Sequence, residues 1–312
     1  DLPDQHARLN AHPSHPEEPA MPYATAADGV KLYYEEAGSG TPVVFVHEFG
    51  DNYRSWEQQV GFFSRRYRCI VYAARGYPPS DIPAEVERYS QRQACDDIAA
   101  VMDHLGLARA HIVGISMGGF ATLHFGLNHP SRALSLTAAA AGYGAEKAFE
   151  ADMRAQAEVA AGKFESMGPE KFAEIYGEAA ARVQFQNKDP RGWRAFIERL
   201  RQHSQVGAAA TMRGVQARRP SLYDLEDGLR DMHVPTLLIV GDEDDHCIQP
   251  GIFLKRILPA CGLVVLPKTG HAVNLEEPAL FNQFVAEFLA QVENNAWKVR
   301  DPRAIPGALL KT

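Results

Sequence analysis

His111-Ile112-Val113-Gly114-Ile115-Ser116-Met117-Gly118-Gly119-Phe120 is the stretch on which the reading of this chain turns. Apolar and β-branched residues run into a Gly-x-Ser-x-Gly pentapeptide, and Phe120, Ala121, Leu123, His124, Phe125 and Leu127 continue from it at helical spacing. That order predicts a strand, a tight turn and a helix, with the serine held in a strained backbone position above the strand ends. The glycines let neighbouring backbone pass close by. Taken alone, the pentapeptide suits a plain strand-to-helix turn equally well, so its chemical meaning depends on the rest of the chain.

Upstream, residues 21–26 and 30–36 read as two strands around an Asp28-Gly29 turn, a hairpin signal that opens the globular part. Pro42-Val43-Val44-Phe45-Val46 is an unbroken apolar run, as expected of a strand buried on both faces of a parallel sheet. A helix over 53–64, a strand over 68–73, a helix over 90–105 with Ser90 as N-cap, and a strand over 110–113 lead to the serine turn. Downstream, strands are predicted over 134–139, 235–240 and 263–266, with helices over 251–258 and 278–292. Strands alternating with helices imply right-handed crossovers and a mainly parallel, doubly wound α/β sheet.

Between residues 145 and 218 the rhythm breaks into helical patterns, with Gly168-Pro169 and Asp189-Pro190 placing proline just inside helix starts. This is a helical insertion. The expected organisation is therefore an extended arm (1–20), a core (21–144 and 219–295), a helical cap (145–218) and a surface tail (296–312). Most aromatic and methionine side chains of the cap are expected to pack it onto the core. A minority, with Tyr143, Met153, Trp193 and the loop residue Glu48 as candidates, would line a pocket between cap and sheet.

Composition narrows the function classes. The 312 residues are 46% apolar and 23% charged, ordinary for a globular protein of one domain plus an insertion. A net charge of −7 with no long basic run lacks the footprint of a nucleic-acid binder. No stretch approaches the roughly 18–20 apolar residues of a membrane span. Cys69, Cys95, Cys247 and Cys261 are scattered, without zinc-ligand spacing, and read as buried free thiols, which favours a reducing, cytoplasmic setting. The numbering starts at Asp1, which is compatible with a removed leader. His6, His12 and His15 on the polar arm read as solvated, not as metal ligands, and no phosphate loop or dinucleotide fingerprint implies a cofactor. Oligomeric state is open, a homodimer being compatible with the sequence.

A serine hydroxyl needs a base to become a nucleophile at neutral pH, commonly a histidine oriented by a carboxylate. Asp244 follows the strand ending at Val240 and His271 follows the strand ending at Leu266, both on the same carboxyl edge of the sheet as Ser116, where open α/β sheets bind ligands. From about Met21 to Glu293 the chain resembles the α/β-hydrolase-fold superfamily with a helical cap. The resemblance rests on Val44-Phe45-Val46-His47, Arg75-Gly76-Tyr77 before Ser80, the serine pentapeptide, Gly241-Asp242-Glu243-Asp244, and Gly270-His271 before Asn274 and Pro278. It implies Ser116 as nucleophile, His271 as general base and then acid, Asp244 as the orienting carboxylate, and an oxyanion hole from the backbone N–H groups of Met117 and Phe49.

Two positions depart from the family pattern. Glu48 stands where many relatives have glycine, so it should point to solvent or into a salt bridge, or else add a carboxylate near the oxyanion. Ala73 replaces a common aspartate, with a local effect on loop packing. Around Asp244, the acidic run of Asp242, Glu243 and Asp245 lacks the ligand spacing of a calcium loop. His47, His233 and His246 read as structural. The expected activity is cleavage of a carboxylic ester or lactone, on a small substrate with apolar parts, through an acyl-enzyme. Hydrolysis of a C–C bond in a β-diketone or dienoate is the rival, with Arg154, Arg182, Arg191 or Arg194 to hold a carboxylate or enolate. A ligand-binding protein on the same fold is the rival from outside enzymes.

Overall fold

The computed structural model describes residues 22–304. The arm with its three histidines and the end of the tail lie outside them. Eight strands form one sheet: β1 (Tyr23–Thr25), β2 (Lys31–Ala37), β3 (Pro42–Val46), β4 (Arg68–Tyr72), β5 (Ala110–Ile115), β6 (Ala133–Ala139), β7 (Thr236–Gly241) and β8 (Cys261–Leu266), in the order β1-β2-β4-β3-β5-β6-β7-β8. β1 and β2 are antiparallel, as are β2 and β4, and every later pairing is parallel. β3 and β5 lie side by side, Val44 opposite Ile112 and Val46 opposite Gly114. The loop after β3 and the serine turn after β5 therefore leave the sheet as neighbours.

Burial on both faces explains why the central strands are largely apolar, the buried His111 of β5 being matched by a hydrogen bond to Ser135 of β6 at 2.7 Å. One face, carrying Val44, Ile70, Ile112 and Leu136, packs on α2 (Gln91–His104), α3 (Met117–Asn128) and α9, while the opposite face, carrying Val43, Phe45, Val113 and Ile239, packs on α1 (Glu57–Phe63) and α11. Here α9 is Asp245–Ile257 and α11 is Pro278–Glu293, preceded by the short α10 (Val273–Glu276). The Ser90 hydroxyl caps α2, accepting from the Gln93 N–H at 3.1 Å. α9 starts at Asp245 and not at the predicted Gly251, because its first turn is polar and hides from an apolar period.

The insertion is helical: α4 (Lys147–Gly177), α5 (Val183–Lys188), α6 (Pro190–Arg201) and α7 (Gln205–Thr211), with α8 (Glu226–Asp231) leading back to β7. Gly168, with φ 75°, breaks α4 just before Pro169. Asp189 caps α6, accepting from the Gly192 N–H at 2.9 Å. A third apolar cluster, including Phe164, Phe172, Phe196, Phe49, Met117 and Leu275, fills the space between these helices and the carboxyl edge of the sheet. All four cysteines are buried and unpaired.

Candidate active site

Ser116 sits between β5 and α3 with φ 54° and ψ −116°, a conformation that costs a non-glycine residue of order 1–3 kcal/mol. Its N–H donates to the Ala139 carbonyl at 2.8 Å and its carbonyl accepts from the Phe120 N–H at 2.9 Å, so neighbouring strand and following helix hold the strained residue in place. A Cβ on Gly118 would collide with the Val46 carbonyl, and one on Gly114 with the Gly118 carbonyl and the Thr122 hydroxyl. Both glycines are thus required by backbone approach.

At the ends of the two later strands, the loops converge on this turn. His271 Nε2 lies 2.8 Å from Ser116 Oγ, and His271 Nδ1 lies 2.7 Å from Asp244 Oδ2. Asp244 and His271 are buried, and Ser116 is partly accessible. Burial opposes the charge of Asp244, yet His271, with Arg182 further off, holds its carboxyl below the usual range. Of the neighbouring acids, Glu243 instead pairs with Lys268 at 3.1 Å, and Asp242 accepts from the Thr269 N–H at 3.2 Å. Glu276, which the sequence reading passed over, is buried under the histidine loop and accepts the N–H groups of Gly270 (2.8 Å) and Ala272 (3.2 Å). From above, the cap carbonyl of Ala181 accepts the His271 N–H at 3.0 Å.

The loop after β3 carries Phe49. Neither its N–H nor that of Met117, the first residue of α3, has a hydrogen-bond partner among the described residues. Tyr77 donates its hydroxyl to the Phe49 carbonyl at 3.0 Å, fixing the peptide that follows. Glu48 does not reach solvent and is not a pocket residue, contrary to two of its expected placements. It is 2% exposed and forms a bidentate pair with Arg182 of the cap, itself 1% exposed, with Nη1–Oε1 at 2.8 Å. Burial of Glu48 opposes its charge, but the guanidinium outweighs it and keeps the carboxyl below its usual range. A second pair joins the same loop to the cap, Arg199 reaching Asp51 at 2.6 and 2.7 Å.

A cavity of about 630 Å³ opens over Ser116 and His271, between sheet edge and cap. Tyr143 and Met153 line it, Tyr143 standing edge-on to His271 at 5.0 Å. Trp193 does not; its indole N–H donates to the Gly177 carbonyl at 2.9 Å, locking α6 to α4 away from the cavity. Of the four arginines expected as candidates, Arg191 and Arg194 are exposed and off the cavity, Arg154 pairs with Glu150, and Arg182 is neutralised by Glu48. The arginine the sequence reading missed is Arg219, buried on the cavity wall. Its signal was faint: it follows Met212 and Val215 on a buried stripe but reads as half of an Arg218-Arg219 surface pair.

Two groups of side chains place three metal-capable atoms within 4.8 Å of one another, Asp244-Cys247-His271 and Cys95-Asp96-His129. In both, the imidazole is already hydrogen-bonded to the carboxylate, at 2.7 and 3.0 Å. No helix among the described residues is long and apolar enough to cross a membrane.

Comparison with known proteins agrees with the fold. Residues 41–278 match the family described as alpha/beta hydrolase fold. The chain is 28% identical over 277 residues to a putative 2-succinyl-6-hydroxy-2,4-cyclohexadiene-1-carboxylate synthase of Bacillus subtilis, covering 86% of this chain and 98% of that protein. It is 26% identical over 257 residues to 3-oxoadipate enol-lactonase 1 of Acinetobacter baylyi, covering 80% and 89%. Among solved structures, a thermophilic esterase from Thermogutta terrifontis superposes with a TM-score of 0.76 at 26% identity, covering 86% of this chain and 98% of that one.

Proposed function

Because this chain belongs to the α/β-hydrolase-fold family and is a hydrolase of that fold, we propose that it cleaves carboxylic esters or lactones by serine catalysis, with Ser116, His271 and Asp244 as the triad. The observation that carries this reading is the unbroken relay from Asp244 Oδ2 through His271 to Ser116 Oγ at 2.7 and 2.8 Å, opening on a cavity large enough for a small substrate. An esterase and an enol-lactonase among the relatives support the bond type, since both names denote cleavage of an acyl C–O bond.

In this mechanism the Ser116 oxygen attacks the substrate carbonyl carbon as its proton passes to His271 Nε2. The C=O bond becomes an oxyanion in a tetrahedral intermediate, received by the N–H groups of Met117 and Phe49, each worth on the order of 3 kcal/mol of transition-state stabilisation. Collapse breaks the acyl C–O bond, the leaving oxygen takes the proton from His271, and the acyl group stays on Ser116. Water then gives its proton to His271 as it attacks, and the proton returns to Ser116 as the acid leaves. Asp244 holds the Nδ1–H tautomer and offsets the charge of the imidazolium. Apolar cap residues around the cavity suit a substrate with hydrophobic parts.

Ser116→Ala tests the assignment. The expected result is a fall in kcat of at least about 10⁴-fold on short esters, with loss of labelling by a fluorophosphonate. Turnover that survives the substitution means that the nucleophile lies elsewhere, and a wild type that takes no label favours a binding protein.

A further inference from the structure

Arg219 precedes Pro220 at the point where the chain returns from cap to core, and its side chain turns inward onto the cavity that holds Ser116 and His271. It is 9% exposed, yet no carboxylate lies within ion-pair reach of it among the described residues. Its neighbours are of other kinds: the guanidinium carbon lies 3.7 Å from the centre of the Phe120 ring, over it, and Nη2 donates to the Tyr143 carbonyl. One such bond engages only a fraction of its five donors. Arg182, which is buried, and Arg199, which is partly buried, each have a dedicated carboxylate in fork geometry. Burial without a counter-charge moves the Arg219 pKa down to about 9, where Arg182 and Arg199 are raised. Of the other charged groups at the cavity, Arg182 is taken up by Glu48, and Glu150, Asp152, Arg154 and Lys163 belong to α4; Asp152 and Arg154 are exposed, and Glu150 and Lys163 are partly so.

A buried guanidinium that lacks a partner in the free protein is stabilised by an anion that arrives with the ligand. Its position sets where that anion must be. Phe120, on which Arg219 lies, is one helical turn beyond Ser116, and Tyr143, to which it donates, stands edge-on to His271. Arg219 therefore lines the same cavity as Ser116 and His271. We propose that Arg219 is a carboxylate-binding subsite, so that the preferred substrate is an ester or lactone whose acyl part carries a carboxylate a short chain away from the scissile carbonyl. This rests on the serine-hydrolase reading above for the reaction and adds the charge of the substrate.

The test compares monomethyl succinate, glutarate and adipate, each against the same methyl ester with a primary amide in place of the carboxylate, by methanol release. The wild type is expected to favour the anionic ester in kcat/KM by at least about 10-fold at one or more of the three lengths. Arg219→Met, which keeps the bulk over Phe120, should lower kcat/KM on that ester, chiefly through KM, at least about 10-fold more than on its amide. Arg219→Lys should recover part of the discrimination. Equal turnover of acid and amide by the wild type at all three lengths overturns the proposal, as does an equal loss on both in Arg219→Met. A binding arm does not depend on turnover or on that variant folding. In the Ser116→Ala protein, glutarate should raise the melting temperature where glutaramide does not, and an equal response to the two also overturns the subsite. Ester turnover that depends on Ser116 but ignores the carboxylate sinks only the subsite. Carboxylate-selective binding without Ser116 labelling or ester turnover sinks only the serine-hydrolase reading.

Discussion

His47 and His203 show how burial sets the charge of single residues here. His47 Nδ1 lies 2.7 Å from the Glu48 carbonyl and Nε2 lies 3.1 Å from the Ala74 N, so Nδ1–H donates and Nε2 accepts, an arrangement open only to the neutral ring. Burial takes its pKa down to about 4, and that of His203, packed edge-on to Tyr77, down to about 3. In the unfolded chain both titrate near 6.5. Below about pH 6.5 the unfolded chain therefore binds protons that the native protein refuses. The stability these rings contribute is complete above that pH and is lost as pH falls toward 4, at up to about 1.4 kcal/mol per pH unit for each histidine. Urea unfolding at pH 7.5 and pH 5 checks this: the midpoint should drop at pH 5, and drop less in His203→Phe. Reading His47 as structural needed only its place in the sequence, whereas His203 carried no signal, since its isolation depends on Tyr77 from a distant loop.

At the scale of elements, the strand-turn-helix around Ser116 was the most legible part of the chain, because three local signals agree: an apolar run, glycines at fixed offsets and a helical period. Gly118 shows the limit of that legibility. The pentapeptide calls for a small residue, but the reason is the Val46 carbonyl of β3, which a Cβ at position 118 would strike. Gly118→Ala should therefore displace the start of α3 from the loop that carries Phe49. A loss in kcat of about 100-fold or more is expected, the scale that a misplacement near 1 Å produces, with a lower melting temperature. A variant with wild-type kcat would mean that the loop yields freely. Element boundaries were read well where a cap announced them, at Ser90 and Asp189, and poorly at α9, whose polar first turn is shaped by the neighbouring Asp244 loop.

Across the whole molecule, two ion pairs join the loop after β3 to the helical insertion, the buried pair of Glu48 with Arg182 and the partly buried pair of Asp51 with Arg199. Both bridge segments more than a hundred residues apart in sequence. Arg182 and Arg199 thus tie the helical insertion to the loop that carries Phe49. Removing one partner leaves a buried charge without compensation, so Arg182→Met should cost about 3–5 kcal/mol, while Glu48→Gln with Arg182→Met should recover much of that. Urea unfolding of wild type, the two single variants Glu48→Gln and Arg182→Met, and the double variant decides it; additive losses would mean that the pair is not coupled.

The sequence by itself determined the sheet, the helical insertion and the three residues at strand ends, Ser116, Asp244 and His271, that the fold links by hydrogen bonds, because hydrophobic period and turn chemistry are local and each candidate follows an apolar run. Only the tertiary structure decided which charges are compensated. Glu48 read as a departure and proved to be the counter-charge of Arg182, Trp193 turned away from the cavity, and Arg219 turned into it without a partner. The physical reason is that an ion pair is a property of two chain segments brought together by the packing of cap on core, and a charge in one segment carries no record of its partner in the other.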